Sequence, residues 1–291
     1  MFERTSRSWK LVGHSWKILL EDRHLLLFPA ISGVATLVTL ASFLVPIIVA
    51  ASGHEPSQGH GHESMPPWLY AVGFLFYMLT FFIAYYFNVA VMHCAAMRMD
   101  GRTPTLIDGF RGANSHALDL LGWAAISATV GIVLRTVEQR LGLVGRIVIG
   151  LVGCAWTVVT YFAVPVLVFE RVSAGNAVRR SAQLLKSTWG DAMVANAGTN
   201  VVFGLLSLLG LVPIAAGVYS ASVGAPAAMA AGMCSLAVFY WLFLGVVSSA
   251  LRSIFQVALY RYATTGLAPA GYPQELLESQ FIAKRRGFFG R

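Results

Sequence analysis

Six long apolar segments alternate with short polar ones along the chain, and each apolar segment has about the length of a membrane-spanning helix. A helix needs about 20 mainly apolar residues to cross the hydrocarbon core of a bilayer. Helical periodicity between polar boundaries predicts spans at Leu25–Ala51, Trp68–Met97, His116–Leu134, Ile147–Phe169, Ala192–Ser222 and Pro226–Leu251. Successive spans pair as three hairpins. The sequence therefore predicts an all-α, polytopic membrane protein with six transmembrane helices.

The third span has the weakest apolar signal of the six. Between Asp119 and Arg135 only 15 residues are free of charge, which is about 22 Å of helix. We expect this span either to lie askew in the membrane or to let Arg135 extend its guanidinium to the interface.

A ten-residue pattern occurs twice, each time shortly before an apolar segment. Residues 7–16 and 180–189 both read Arg-Ser-x-x-Leu-[Leu/Val]-x-x-[Ser/Thr]-Trp. Basic and apolar residues fall on different helical faces, which is typical of a helix lying in the membrane interface. The basic residues predicted to meet lipid headgroups or to form an interface are Arg7, Lys10, Lys17, Arg179, Arg180 and Lys186.

A weaker amphipathic stretch precedes the third span. It places Leu106, Phe110, Ala113, Ala117 and Leu120 on one face of a helix that Thr105 would begin. Each hairpin is thus predicted to follow a cytoplasmic interfacial amphipathic helix, as in a threefold internal repeat. A chance likeness between amphipathic basic helices is the alternative.

Composition agrees with a membrane protein, and the charge distribution predicts its orientation. Apolar residues make up 57% and charged residues 12% of the chain, with a mean hydropathy of +0.67. Of 21 Lys and Arg, five precede the first span, three lie between spans two and three, four between spans four and five, and six near the C-terminus. Only Arg135, Arg140 and Arg146 remain for the opposite side. Both termini are therefore predicted to be cytoplasmic.

The net charge of +8 is explained by this topology and by anionic phospholipids, so we predict a lipid partner and no nucleic acid. The first 24 residues are interrupted by charges, unlike a cleavable signal peptide, so we expect the N-terminus to be retained. Residues 1–263 are predicted to form a single six-span domain, and residues 264–291 a cytoplasmic tail with a basic end.

The loop between the first two spans contains the strongest candidate for metal chemistry. His54, His60 and His62 lie there with two glutamates among glycines, and imidazole and carboxylate groups bind zinc, nickel or copper. Their spacing matches no defined site, and a solvated flexible turn is the competing interpretation.

Polar side chains inside the spans are few. Asn88, His93, Asn196 and Asn200 are the candidates, and we expect them to join helices by hydrogen bonds rather than to line a transport path. Cys94, Cys154 and Cys234 fall within spans as small fillers. No nucleophile elbow, phosphate loop or zincin motif is present, so the sequence predicts neither an enzyme nor a cofactor.

Spans five and six are rich in small residues, which favours close helix packing. Their glycines are Gly204, Gly210, Gly217, Gly224, Gly232 and Gly245. We expect these two helices to pack on each other or on another subunit.

Residues 161–170 read YFAVPVLVFE and are followed by NAVRRS at 176–181 and KSTWG at 186–190. These segments resemble an uncharacterised family of bacterial six-helix membrane proteins. The N-terminal Ser8-Trp9, Trp16 and Leu27-Phe28-Pro29 look like the start of the same family. The family is more distantly similar to the membrane portion of some glycerophosphodiester phosphodiesterases. The resemblance implies a six-helix fold and an inner-membrane location, and it transfers no catalytic residue.

These observations favour a non-enzymatic structural or accessory component of a bacterial inner-membrane assembly, with other membrane-protein subunits as partners. The alternative is a transporter or permease-like protein for a small or lipid-like substrate, with metal binding by the histidine loop. A cavity reaching the midplane near the intramembrane polar residues would favour transport. A packed interior with an exposed small-residue helix face would favour the assembly role.

Overall fold

The computed structural model describes residues 13, 15–52, 67–188, 202–224, 226–270 and 272. Helix α1 (15–21) leads through a short 3-10 helix, Arg23–Leu26, into α2. The further helices are α2 (Leu27–Ser52), α3 (Pro67–Met99), α4 (Leu106–Asn114), α5 (Ala117–Arg140), α6 (Leu143–Val159), α7 (Ala163–Phe169), α8 (Ala174–Thr188), α9 (202–209), α10 (Leu211–Ser222) and α11 (Ala227–Thr265). Regular structure in the described residues is helical, so the all-α prediction is confirmed.

Within the described residues, six helical segments are long and apolar enough to cross a membrane, which confirms the predicted polytopic architecture. They are Arg23–Pro46, Tyr70–Met99, Ala117–Arg140, Leu143–Phe169, Val202–Ser222 and Ala227–Thr265. Each overlaps one predicted span. The predicted start of the fifth span, Ala192, lies outside the described residues.

Two helices continue past the predicted ends of their spans. Helix α5 continues six residues past the predicted end at Leu134 and reaches about 36 Å, enough for a full crossing. Arg135 lies within this helix, and its guanidinium donates a hydrogen bond to the Tyr77 hydroxyl of α3 (2.8 Å). Helix α11 continues from the predicted end at Leu251 to Thr265, where Gly266 closes it in the left-handed conformation (φ 71°).

The amphipathic stretch before the third span is also shorter than predicted. Helix α4 contains Leu106, Phe110 and Ala113, but a turn at Ser115 and His116 separates it from α5. The predicted continuous face through Ala117 and Leu120 is therefore divided between two helices.

The fourth span is broken into α6 and α7 by residues 160–162. Pro165 is the third residue of α7, and in a continuous helix its ring would clash with the carbonyl of Tyr161. The buried Ser181 hydroxyl of α8 repairs the break: it donates to the Val159 carbonyl (2.6 Å) and accepts from the Phe162 N–H (3.0 Å).

The fifth span shows a similar break. Gly210 separates α9 from α10, and Pro213 is again the third residue after the break. Two aromatic donors of α11 reach the carbonyls beside it: the Tyr240 hydroxyl bonds the Leu206 carbonyl (2.6 Å), and the Trp241 indole N–H bonds the Ser207 carbonyl (3.0 Å).

The chain divides into two compact units. One comprises Met1–Pro29, Val91–Leu106 and Leu184–Arg291, and the other Ala30–Ala90 and Ile107–Gln183. Large buried side chains of the first include Leu25, Phe28, Met92 and Ile254, and those of the second include Leu120, Trp123, Phe162 and Leu167.

In α2, α3, α5 and α11, burial is concentrated at one end of the helix. In α5 it lies between Leu120 and Ala128, and in α11 it lies, apart from Ala237, between Val247 and Tyr260. In the predicted topology these are the cytoplasmic ends. The opposite ends expose large apolar side chains, as expected for a surface in lipid.

We predict that Ser181→Ala destabilises the protein by about 1–3 kcal/mol, because it removes two hydrogen bonds to backbone groups in a buried site. Thermal unfolding in detergent measures the loss. Thr129→Ala is the matched control, since the Thr129 hydroxyl bonds only its own helix at the Ala125 carbonyl and is exposed. Equal effects of the two substitutions would contradict the bridging role.

Candidate functional site

Seven polar side chains of the first unit form three separate sets of hydrogen bonds and ion pairs near the ends of its helices. We call this group the helix-end network; it comprises Ser15, Glu21, Asp22, Arg98, Asp100, Arg261 and Tyr272. Arg98, the last residue but one of α3, donates through Nη2 to Glu21 Oε2 at 2.8 Å. Its Nε lies 3.2 Å from the buried Asp22 carboxylate. Helix α1 is thereby tied to the end of α3.

The end of α3 is tied to α11 by a two-pronged ion pair. Arg261 donates through Nη1 and Nη2 to the two oxygens of Asp100, at 2.6 and 3.1 Å. Arg102 adds a contact at 3.3 Å. The hydrogen bonds from Arg261 hold the pKa of Asp100 below its ordinary value, with burial opposing the shift.

The chain after α11 returns to α1. The Tyr272 and Ser15 hydroxyls form a buried hydrogen bond of 2.7 Å. Burial raises the pKa of Tyr272 above its ordinary value, and the bond to Ser15 only partly offsets that shift. The phenol is therefore a neutral partner at physiological pH.

The helix-end network was missed by sequence reasoning. Arg98 and Arg261 entered only as charges that indicate topology, although three acidic residues, Glu21, Asp22 and Asp100, stand among the basic ones. Acidic residues near helix ends are the signal that would have suggested pairing. Their partners depend on tertiary packing, because Asp100 and Arg261 are 161 positions apart.

The residues predicted to meet lipid headgroups have mixed surroundings. Arg180 pairs with Glu170, its Nε lying 3.2 Å from both carboxylate oxygens. Lys17, Arg179 and Lys186 are exposed. Arg7 and Lys10 lie outside the described residues. Binding of phosphate by this group stays a prediction.

The intramembrane polar residues are described only on α3. Asn88 and His93 are half-buried, and each takes part in an interaction. The side chains between them, Val89 to Met92, are buried. Asn196 and Asn200 lie outside the described residues.

The histidines of the predicted metal loop, His54, His60 and His62, lie outside the described residues. Within the described ranges, no group of three or more His, Cys, Asp or Glu side chains is placed to hold a metal ion. The metal prediction is therefore untested.

An aromatic cluster forms the centre of the second unit. The buried Trp123 stacks on Trp156 with ring centres 6.3 Å apart and an interplanar angle of 15°. Tyr85 lies against Trp123 at 6.3 Å and donates its hydroxyl to Ser127 (3.0 Å). Sequence reasoning treated these residues only as parts of spans. They hold α3, α5 and α6 together.

An open groove of about 540 Å³ lies along α5 and α6 in the second unit. Its polar residues are Arg135, Glu138, Gln139 and Arg146, and its other lining residues are glycine, leucine and isoleucine. The charge count places three arginines on the side of the membrane that has few basic residues. Two of them, Arg135 and Arg146, line this groove. The sequence showed these arginines but not their convergence.

The six apolar helices define an all-α multi-pass membrane protein. The chain belongs to a family of unknown function (DUF6159), whose model matches residues 68–270. This range holds α3 to α11 and the 161–190 motif, whereas the similar N-terminal residues precede it. No curated protein and no solved structure shows significant similarity to the chain.

We predict that Asp100 makes stability depend on pH in the acid range. Since its pKa is lowered in the folded state, the ion pair with Arg261 stabilises the protein above the ordinary carboxyl pKa of about 4, and this contribution is lost as pH falls through the lowered value. The pair is partly exposed, so we expect at most about 1 kcal/mol.

The measurement is the apparent unfolding midpoint between pH 7 and pH 3 for wild type and Asp100→Asn. The difference between them should shrink as pH falls. Glu138→Gln is the control, because Glu138 forms no ion pair within the described part of the chain. A difference independent of pH would contradict the assignment.

Proposed function

We propose that this protein is a non-enzymatic structural or accessory component of a bacterial inner-membrane assembly. The observation that carries the proposal is a small-residue face on α11 that no described side chain covers closely. Ala228, Ala231, Gly232 and Ser235 follow one another at helical spacing and are exposed. A face of this kind lets a second helix approach closely in a membrane.

The glycines of spans five and six fall into two groups. Gly210 and Gly217 face α11: an added Cβ on Gly210 would overlap the Trp241 indole, and one on Gly217 would lie 3.3 Å from the Ala230 carbonyl. A Cβ on Gly232 or Gly245 would meet nothing within 4 Å. The first group already serves packing within the chain; of the second group, Gly232 lies on the small-residue face and Gly245 does not.

The two helix breaks favour this role over transport. Transporters commonly use the free backbone groups of broken helices to bind substrate or ions. Here Ser181 occupies the groups beside the first break, and Tyr240 and Trp241 occupy carbonyls beside the second. Asn88 and His93 also have partners, and the α5–α6 groove is lined by neither of them.

The location and orientation belong to the same proposal. Eighteen of the 21 basic residues on one side support cytoplasmic N- and C-termini. The resemblance of the 161–190 segment to bacterial six-helix proteins supports an inner-membrane location and a distant relation to the membrane portion of glycerophosphodiester phosphodiesterases. The absence of catalytic motifs in the sequence supports a non-enzymatic role.

We predict that Gly232→Leu releases a partner subunit. The full chain is purified in mild detergent from its native membrane at natural abundance, and copurifying proteins are quantified by mass spectrometry. We expect a stoichiometric membrane-protein partner with wild type and at least a tenfold loss with Gly232→Leu, because the added side chain separates the helices.

Gly245→Leu is the matched control, because Gly245 is exposed, open and on the same helix but on a different face. It should retain the partner. A wild-type chain that purifies without any stoichiometric protein partner would overturn the proposal, and a copurifying small molecule other than a phospholipid would then favour the transporter.

A further inference from the structure

The groove along α5 and α6 is amphipathic along its length. Its polar end is formed by Arg135, Glu138, Gln139 and Arg146. One donor of Arg135 is held by the Tyr77 hydroxyl, which orients the guanidinium. Arg146 and Glu138 form no ion pair with any other described residue. The polar end thus presents two guanidinium groups, one of them pre-positioned.

The other end of the groove is apolar and open because its residues are small. Gly131 and Gly150 line it, and a Cβ on either would meet nothing within 4 Å. Gly153 lies beyond them, and a Cβ added to it would lie 3.9 Å from Leu134 Cδ1. Glycine at these positions leaves room for a chain of methylene groups beside the helices.

The change from polar to apolar follows membrane depth. Helix α5 is about 36 Å long and ends at Arg140, so its last turns reach the membrane boundary. Along α6, Gly153 is seven residues beyond Arg146, or about 10 Å deeper. With α5 spanning the bilayer, the arginine side chains are long enough to extend their guanidinium groups towards the lipid phosphates, while the glycines lie deeper, beside the acyl chains.

Charge complementarity identifies the occupant. Two arginines and one glutamate give the polar end a net charge of +1, which matches the single negative charge of a phosphodiester. We propose that this groove binds one membrane phospholipid, with its phosphate at Arg135 and Arg146 and an acyl chain over Gly131 and Gly150. This inference is independent of the assembly role, which depends on a face of α11.

The test is native mass spectrometry of the purified full chain in dodecyl maltoside, titrated with dioleoyl phosphatidylglycerol. We expect one tight adduct with wild type. Arg146→Gln should weaken it about tenfold, since it removes a charge-assisted contact to phosphate. Gly150→Leu should weaken it at least as much, because its side chain would occupy the groove, and a Cβ at this position meets no protein atom within 4 Å.

Each variant has a matched control. Arg140→Gln removes an arginine of the same hairpin that does not line the groove, and Gly122→Leu fills open space elsewhere on α5. Both should bind within twofold of wild type. Diolein, which lacks phosphate, and glycerol 3-phosphate, which lacks chains, should each bind at least tenfold more weakly. Equal losses for Arg146→Gln and Arg140→Gln, full binding by Gly150→Leu, or equal binding of diolein would overturn the proposal.

Discussion

The structure depends on one constraint, that a backbone polar group inside a bilayer must find a partner within the protein. An unbroken helix satisfies this constraint with its own backbone hydrogen bonds, but two spans of this chain are broken near prolines. Ser181, Tyr240 and Trp241 then supply the missing donors and acceptors. Helix α8 is consequently bonded to the fourth span through its own buried serine.

The existence of the six spans could be predicted because apolar length is a strong and local signal. Their ends could not all be predicted. An arginine normally stops an apolar run, but Arg135 is held by Tyr77, and Arg252 lies within the part of α11 that extends beyond the predicted end at Leu251. The partner of Arg135 depends on tertiary structure, which hydropathy does not contain.

The candidate sites were harder to predict from the sequence than the fold was. The Arg-Ser pattern drew attention to residue 181, yet its partners Val159 and Phe162 lie about 20 positions earlier and are backbone groups. Arg135 and Arg146 were recognised as exceptions to the charge rule, but only the packing of α5 on α6 places both on one groove. The structure thus gives specific contacts to residues that the sequence identified only by a motif or by their charge.

Helix α11 is long enough to act as a lever. Gly232 and Arg261 are 29 residues apart on one continuous helix, a separation of about 44 Å. The first belongs to the small-residue face, and the second holds Asp100 at the end of α3. A tilt of about 5° about Gly232 moves Arg261 by about 4 Å, which is more than the length of its ion pair. A molecule that binds α11 at one end is therefore mechanically coupled to the ion pair at the other end.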